Sequence, residues 1–142
     1  MQLTLEYWNE LAKQLILISS LLSGFSITVV ANLLVSDKND TLTNRILKAA
    51  TLSAGSFLVS VFATVQIALI TTPGYPLKEV TADDFIIPRI IGIIAFIVGL
   101  ISLTTVVSLS GWTKSKKIGR YTTFIGVLTL ILILVTLIKI NY

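Results

Sequence analysis

The chain has 142 residues, 54% hydrophobic and only 13% charged, with a net charge of +4 and a mean hydropathy of +0.91. A soluble domain carries roughly 25% charge, so this deficit, with apolar runs beyond ~18 residues, excludes an ordinary soluble domain and points to the membrane class. The absence of cysteine and histidine removes disulfides, thiol chemistry, Cys-based metal sites, the usual general base and the usual sensor of near-neutral pH.

The N-terminal stretch MQLTLEYWNE carries two acids and no positive n-region. It does not read as a signal peptide, so the first helix is expected to stay in the protein. Leu3, Leu5, Tyr7, Trp8 and Leu11 among Glu6, Glu10 and Lys13 read as interfacial helical turns leading into the first span, with Tyr7 and Trp8 at headgroup depth.

The first span is charge-free from Gln14 to Ser36, about 34 Å as a helix and enough to cross a bilayer. Within it Ser19, Ser20, Ser23, Ser26, Thr28, Gly24 and Asn32 interrupt an otherwise plain lipid-facing pattern. That makes it the candidate inner element of an assembly. The loop SDKNDTLTNR follows, with Asp37, Asn39, Asp40 and Asn44 as turn formers and Thr41 or Thr43 as candidate helix caps.

The second span covers about 49–71 and is stopped by Thr72-Pro73-Gly74-Tyr75-Pro76. Ser53, Ser56, Ser60, Thr64 and Thr71 recur at helical spacing as one small, polar face. Two readings of that face stand open: the wall of a wet path, or close helix packing with hydroxyls bonded within or across helices. The connection LKEVTADDFIIP is acidic through Glu79, Asp83 and Asp84. Two adjacent carboxylates near a helix start favour a dipole cap over a cation site, because hard cations need more oxygen ligands.

The third span covers 90–112, with Pro88 in its first turn and Gly92, Ala95, Gly99 and Ser102 as a packing seam. A basic loop follows, with Lys114, Lys116, Lys117 and Arg120, and then a fourth span at 121–138 with Thr122, Gly126 and Thr129 on its small face. Lys139 and Tyr142 anchor the end. The expected fold is all-α: one four-helix transmembrane domain, multi-pass, with both ends on one side. The helix-packing residues are Ser53, Ser56, Ser60, Thr64, Gly92, Gly99 and Gly126.

The loops between spans one and two and between three and four hold seven of the basic residues, Lys38, Arg45, Lys48, Lys114, Lys116, Lys117 and Arg120, against four on the other side, Lys13, Lys78, Arg89 and Lys139. This bias puts those two loops in the cytoplasm and the termini outside. It also gives the basic balance a plain meaning, loops beside lipid headgroups, and no nucleic-acid partner is expected. A plasma membrane, the bacterial inner membrane, is the expected location.

The sequence contains no HExxH, GxSxG, Walker or dinucleotide motif. All seven acids lie outside the apolar cores, so no proton relay or coupling carboxylate can be named. No enzymatic activity, cofactor or resident metal is expected.

A pore is what remains. On a helix, Lys13, Leu17, Leu21, Phe25 (or Gly24), Thr28 and Asn32 project from one face at spacings of three and four. In a ring of copies Asn32 would line one mouth, and Leu17, Leu21 and Phe25 would form a constriction able to gate by dewetting. The alternative is that this face packs on neighbouring helices, with Asn32 as the polar glue.

Leu21-Leu22-Ser23-Gly24-Phe25, with a polar residue seven positions after the phenylalanine, resembles the first, pore-lining helix of the Orai calcium channels. Leu58-Val59-Ser60-Val61 is similar to the middle of the Orai second helix, and the Gly99-to-Trp112 spacing with Lys114 after it is similar to the third. The resemblance implies a homo-oligomer whose pore is lined by Lys13, Leu17, Leu21, Gly24, Phe25, Thr28 and Asn32. Asn32 stands where Orai channels carry a selectivity glutamate, and the basic inner segment is reduced to Lys13. A neutral amide ring lacks the charge that holds calcium. The expectation is therefore conduction of inorganic cations without strong calcium selectivity. The rival expectation is a non-conducting subunit or scaffold that binds a partner membrane protein.

Overall fold

The structure, a computed structural model, describes residues 5–74 and 82–139. Leu3, Tyr75, Pro76, Lys78, Glu79 and Tyr142, and the side chains of Asp83 and Lys139, lie outside the described residues. The chain is an all-α four-helix bundle: α1 (Leu5–Val35), α2 (Thr41–Ile70), α3 (Ile86–Ser110) and α4 (Lys116–Lys139). All four helices are long and apolar enough to span a membrane, so the protein is a multi-pass membrane protein.

Each helix starts before the charge-free run that announces it. α1 starts at Leu5 rather than Gln14, α2 at Thr41 rather than Ala49, α3 at Ile86 rather than Ile90 and α4 at Lys116 rather than Tyr121. Backbone hydrogen bonding does not stop at a charged side chain; only the hydrocarbon does. The 31 residues of α1 make a helix of about 46 Å, longer than the ~30 Å hydrocarbon core. The helical turns expected before Gln14 are present as residues 5–13.

The helix ends follow local chemistry. The N-cap of α2 is Asp40, not Thr41 or Thr43. Thr43 instead donates its hydroxyl hydrogen to the Asp40 carboxylate. That bond is the main reason the Asp40 carboxyl sits below its ordinary value of 3.8, with desolvation opposing it. At the other end Thr71 is the C-cap, and Gly74, at φ +90, makes the turn that an L side chain resists. A short 3-10 turn, Ala82–Phe85, leads into α3, which carries Pro88 in its first turn.

Packing is sequential. α2 packs on α1 and on α3, and α3 packs on α4, so α2 and α3, and not α1, are the helices held between neighbours within one chain. Two apolar clusters lie near the ends of the α1–α2–α3 group. Ala12, Ile67 and Phe85 form one with Trp8; Ile46, Ala50 and Val106 form the other with Val29 and Leu33. Between them lies a layer of buried serines, Ser19, Ser23, Ser26, Ser53 and Ser60, beside the fully buried Phe57. Small residues let helix backbones approach in lipid, where attraction comes from close packing and not from water exclusion.

Candidate functional site

The two faces of α1 differ in kind. The inner stripe is Asn9, Ala12, Ser19, Ser23 and Ser26, all buried. Its spacing keeps to multiples of the helical turn, and it meets α2 in antiparallel register. Ser19 Oγ donates to Ser60 Oγ at 3.4 Å, Ser23 Oγ to the Ala54 carbonyl at 3.2 Å, and Ser26 and Ser53 share a hydrogen bond at 2.9 Å. Ser53 Oγ also lies 3.3 Å from the Gly99 carbonyl, so one short network links α1, α2 and α3. Hydroxyls in hydrocarbon must find partners. Among the described residues, no buried side-chain nitrogen or oxygen lacks one.

The outer face carries the residues expected to line a pore. Lys13, Leu17, Leu21, Gly24, Phe25, Thr28 and Asn32 are all exposed on the single chain. Leu17 is 65%, Leu21 68% and Phe25 56% exposed, so none of the other described residues covers them. A side chain added at Gly24 would meet nothing within 4 Å. Thr28 donates to the Gly24 carbonyl at 2.9 Å, which leaves its oxygen lone pairs facing out. Lys13 pairs with Glu10 at 2.8 Å, an exposed contact one turn apart. Such pairs contribute about 0–1 kcal/mol, but this one places a carboxylate beside the ammonium at that end of the face. From Leu17 to Phe25 the apolar stretch is about 12 Å long. Asn32 sits one turn from the end of α1 at Val35.

The seven residues expected to pack helices are distributed over the interfaces. Ser53 and Ser60 bond across to α1, while Thr64 donates back to the Ser60 carbonyl at 2.7 Å. A Cβ built on Gly92 would lie 3.2 Å from Ala63, and one on Gly99 would lie 2.9 Å from the Phe57 ring. Gly126 of α4 lies against Ser108 of α3. Ser56 differs: it is half-buried and lines an open apolar groove of ≈ 610 Å³ between α2 and α3, with Gly55 and Ala95.

Other contacts had no expectation in the sequence. Asn9 Nδ2 donates to the Ala68 carbonyl at 2.9 Å and to Thr71 Oγ1 at 3.0 Å, tying the start of α1 to the end of α2. The signal was its register, because Asn9 lies on the same stripe as Ala12, Ser19 and Ser23. Trp8 packs edge-on against Phe85, with ring centroids 5.6 Å apart, and Arg89 sits 4.4 Å above its ring. Trp112 Nε1 donates to Thr123 Oγ1 at 3.0 Å, joining α3 to α4. No cluster of acids able to hold a metal ion occurs among the described residues.

No family model, curated protein or solved structure matches this chain.

Proposed function

We propose that the protein is a subunit of a small homo-oligomeric channel of a bacterial plasma membrane, with α1 lining the axis. It conducts inorganic cations without strong calcium selectivity. One observation carries this reading: α1 packs on α2 through its serine stripe, while the face holding Leu17, Leu21, Phe25, Thr28 and Asn32 is left uncovered at the edge of the bundle. Cyclic symmetry would bring that face of every copy to a common axis. Exposed Ile18 and Ile27 flank it and would meet the neighbouring copies. The resemblance of Leu21–Phe25 to the Orai pore helix supports the same assignment. Leu17, Leu21 and Phe25 would form the dewetting constriction, and Asn32 and Thr28 the polar mouth. The role is non-enzymatic.

The test is cation flux through the purified, assembled protein in vesicles, compared with Asn32→Asp. A ring of carboxylates should change divalent-cation flux or block about tenfold or more, since each adds a full charge at one mouth. Unchanged flux or block with assembly intact would refute the pore.

A second reading rests on Gly24. A glycine with open space around it on an apolar helix face is also where a partner helix approaches closely. In that case the same face binds a different membrane protein and conducts nothing. A stable one-to-one complex, with no self-assembled ring, would decide for it.

A further inference from the structure

α3 and α4 diverge enough to leave an open groove of ≈ 450 Å³ between them. Ile101, Thr105 and Trp112 of α3 form one wall, and Thr123, Val127 and Leu130 of α4 the other. The threonine hydroxyl hydrogens along it are committed to backbone carbonyls: Thr104 donates to Leu100 at 2.9 Å, Thr105 to Ile101 at 2.8 Å and Thr123 to Ser108 at 3.5 Å. What the groove presents is therefore mainly methyl and methylene surface.

Its dimensions point to one kind of occupant. From Trp112 to Ile101 the α3 wall is about 16 Å long, close to the ~15 Å depth of one leaflet of the hydrocarbon core. A transmembrane partner helix would need a seat through both leaflets. An acyl chain needs one.

The Trp112 end of the groove adjoins the basic loop, which begins two residues later at Lys114. Lys114, Lys116, Lys117 and Arg120 are all exposed, and the sequence has no acidic residue after Asp84. The ion pair of the described residues is Lys13 with Glu10, so these four cations are left without a carboxylate partner. Four clustered cations at the mouth of an apolar slot one leaflet deep complement an anionic headgroup carrying a chain.

We propose that the α3–α4 groove is a binding site for an anionic phospholipid, with an acyl chain along Ile101–Trp112 and the phosphate at Lys114, Lys116, Lys117 and Arg120. The lipid would lock α4, which among the long helices packs chiefly on α3, onto the rest of the bundle.

Trp112, on the groove wall, is a built-in reporter. The full chain is placed in phosphatidylcholine bilayers containing a small fraction of either phosphatidylglycerol or phosphatidylcholine brominated on one acyl chain. The Trp112 signal is taken as the difference from Trp112→Phe. Brominated phosphatidylglycerol should quench at an effective local concentration at least about fivefold above its bulk fraction, the factor that one lysine at an anionic surface supplies. Brominated phosphatidylcholine should show no enrichment. The preference should fall toward one when the four cations are changed to Gln, and also in wild-type protein at high salt, which needs no variant to fold. It should also weaken in Val127→Phe, which fills the groove and keeps every charge. Equal quenching by the two lipids overturns the site. So does a preference that survives charge removal, and so does one untouched by Val127→Phe. Shielding of Trp112 from both lipids would mean that protein covers the groove, and would overturn it as well.

Discussion

Gly99 is the position where the packing account can be put under most strain. It lies on α3 with its Cα toward Phe57 of α2. An added Cβ would come within 2.9–3.0 Å of three ring atoms. That is closer than carbon atoms tolerate, and the ring has little room to retreat: Phe57 is fully buried and stands edge-on to Phe96 at 5.9 Å. Forcing a methyl group into a packed core costs about 1–3 kcal/mol. Gly99→Ala also gains helix propensity, up to about 1 kcal/mol by measurements in water, so the bare effect understates the clash. Gly55→Ala supplies the reference. Gly55 is also inside a helix, but a Cβ there meets nothing within 4 Å. The propensity gain is common to both, so the difference between the two variants isolates the contact. Reversible unfolding in mixed micelles should place Gly99→Ala about 1–3 kcal/mol below Gly55→Ala. Shrinking the ring should remove the penalty: in the Phe57→Leu background, Gly99→Ala should cost at least about 0.5 kcal/mol less than alone, the coupling expected of residues in contact. Equal stability of the two alanine variants, or strict additivity with Phe57→Leu, would refute the close α2–α3 approach.

Two further predictions test the polar layer and the loop. Ser26→Ala with Ser53→Ala, run as a double-mutant cycle in the same assay, should show a coupling of about 0.6 kcal/mol and no more than about 1.7, the range for hydrogen bonds between membrane helices; zero coupling would mean that the hydroxyls are not joined. The Asp40 carboxyl is held below 3.8 mainly by the Thr43 hydroxyl. Because the folded value is lowered, its contribution to stability is present above pH 3.8 and is lost as the pH falls through the folded value. Thr43→Val should return the Asp40 titration, followed by carboxyl NMR, toward 3.8; a titration unmoved by the change would assign the shift elsewhere.

How much of this was legible follows from the solvent. Four spans could be read because hydrocarbon excludes charge, and a water-exposed fold has no use for charge-free runs of this length. Charge-free runs mark spans and not helix starts, since Leu5, Thr41 and Lys116 belong to helices that begin among charged residues. The cap of α2 was misassigned because Asp40, Thr41 and Thr43 are all chemically suited, and the choice depends on where the backbone turns. Ser53, Ser60, Gly92, Gly99 and Gly126 stood out as small residues at helical spacing, and the structure puts each against another helix. The sequence could not say which neighbour each would meet. Phe57 shares the register of Ser53 and Ser60 and is fully buried, while Phe62, off that register, is 71% exposed; register gives the buried face but not the Gly99 backbone that Phe57 meets. On α1, both the serine stripe and the Leu17–Asn32 face could be written from periodicity. Only the three-dimensional structure assigns the first to α2 and leaves the second uncovered.

The position of α1 in the assembled protein tests the central proposal most directly. Imaging of particles of the full chain in lipid discs would read symmetry and helix position together. The channel account predicts a closed ring of about five or six copies with α1 nearest the axis and Leu21 and Phe25 facing it. A monomer, or a ring with α1 on its perimeter, would contradict it.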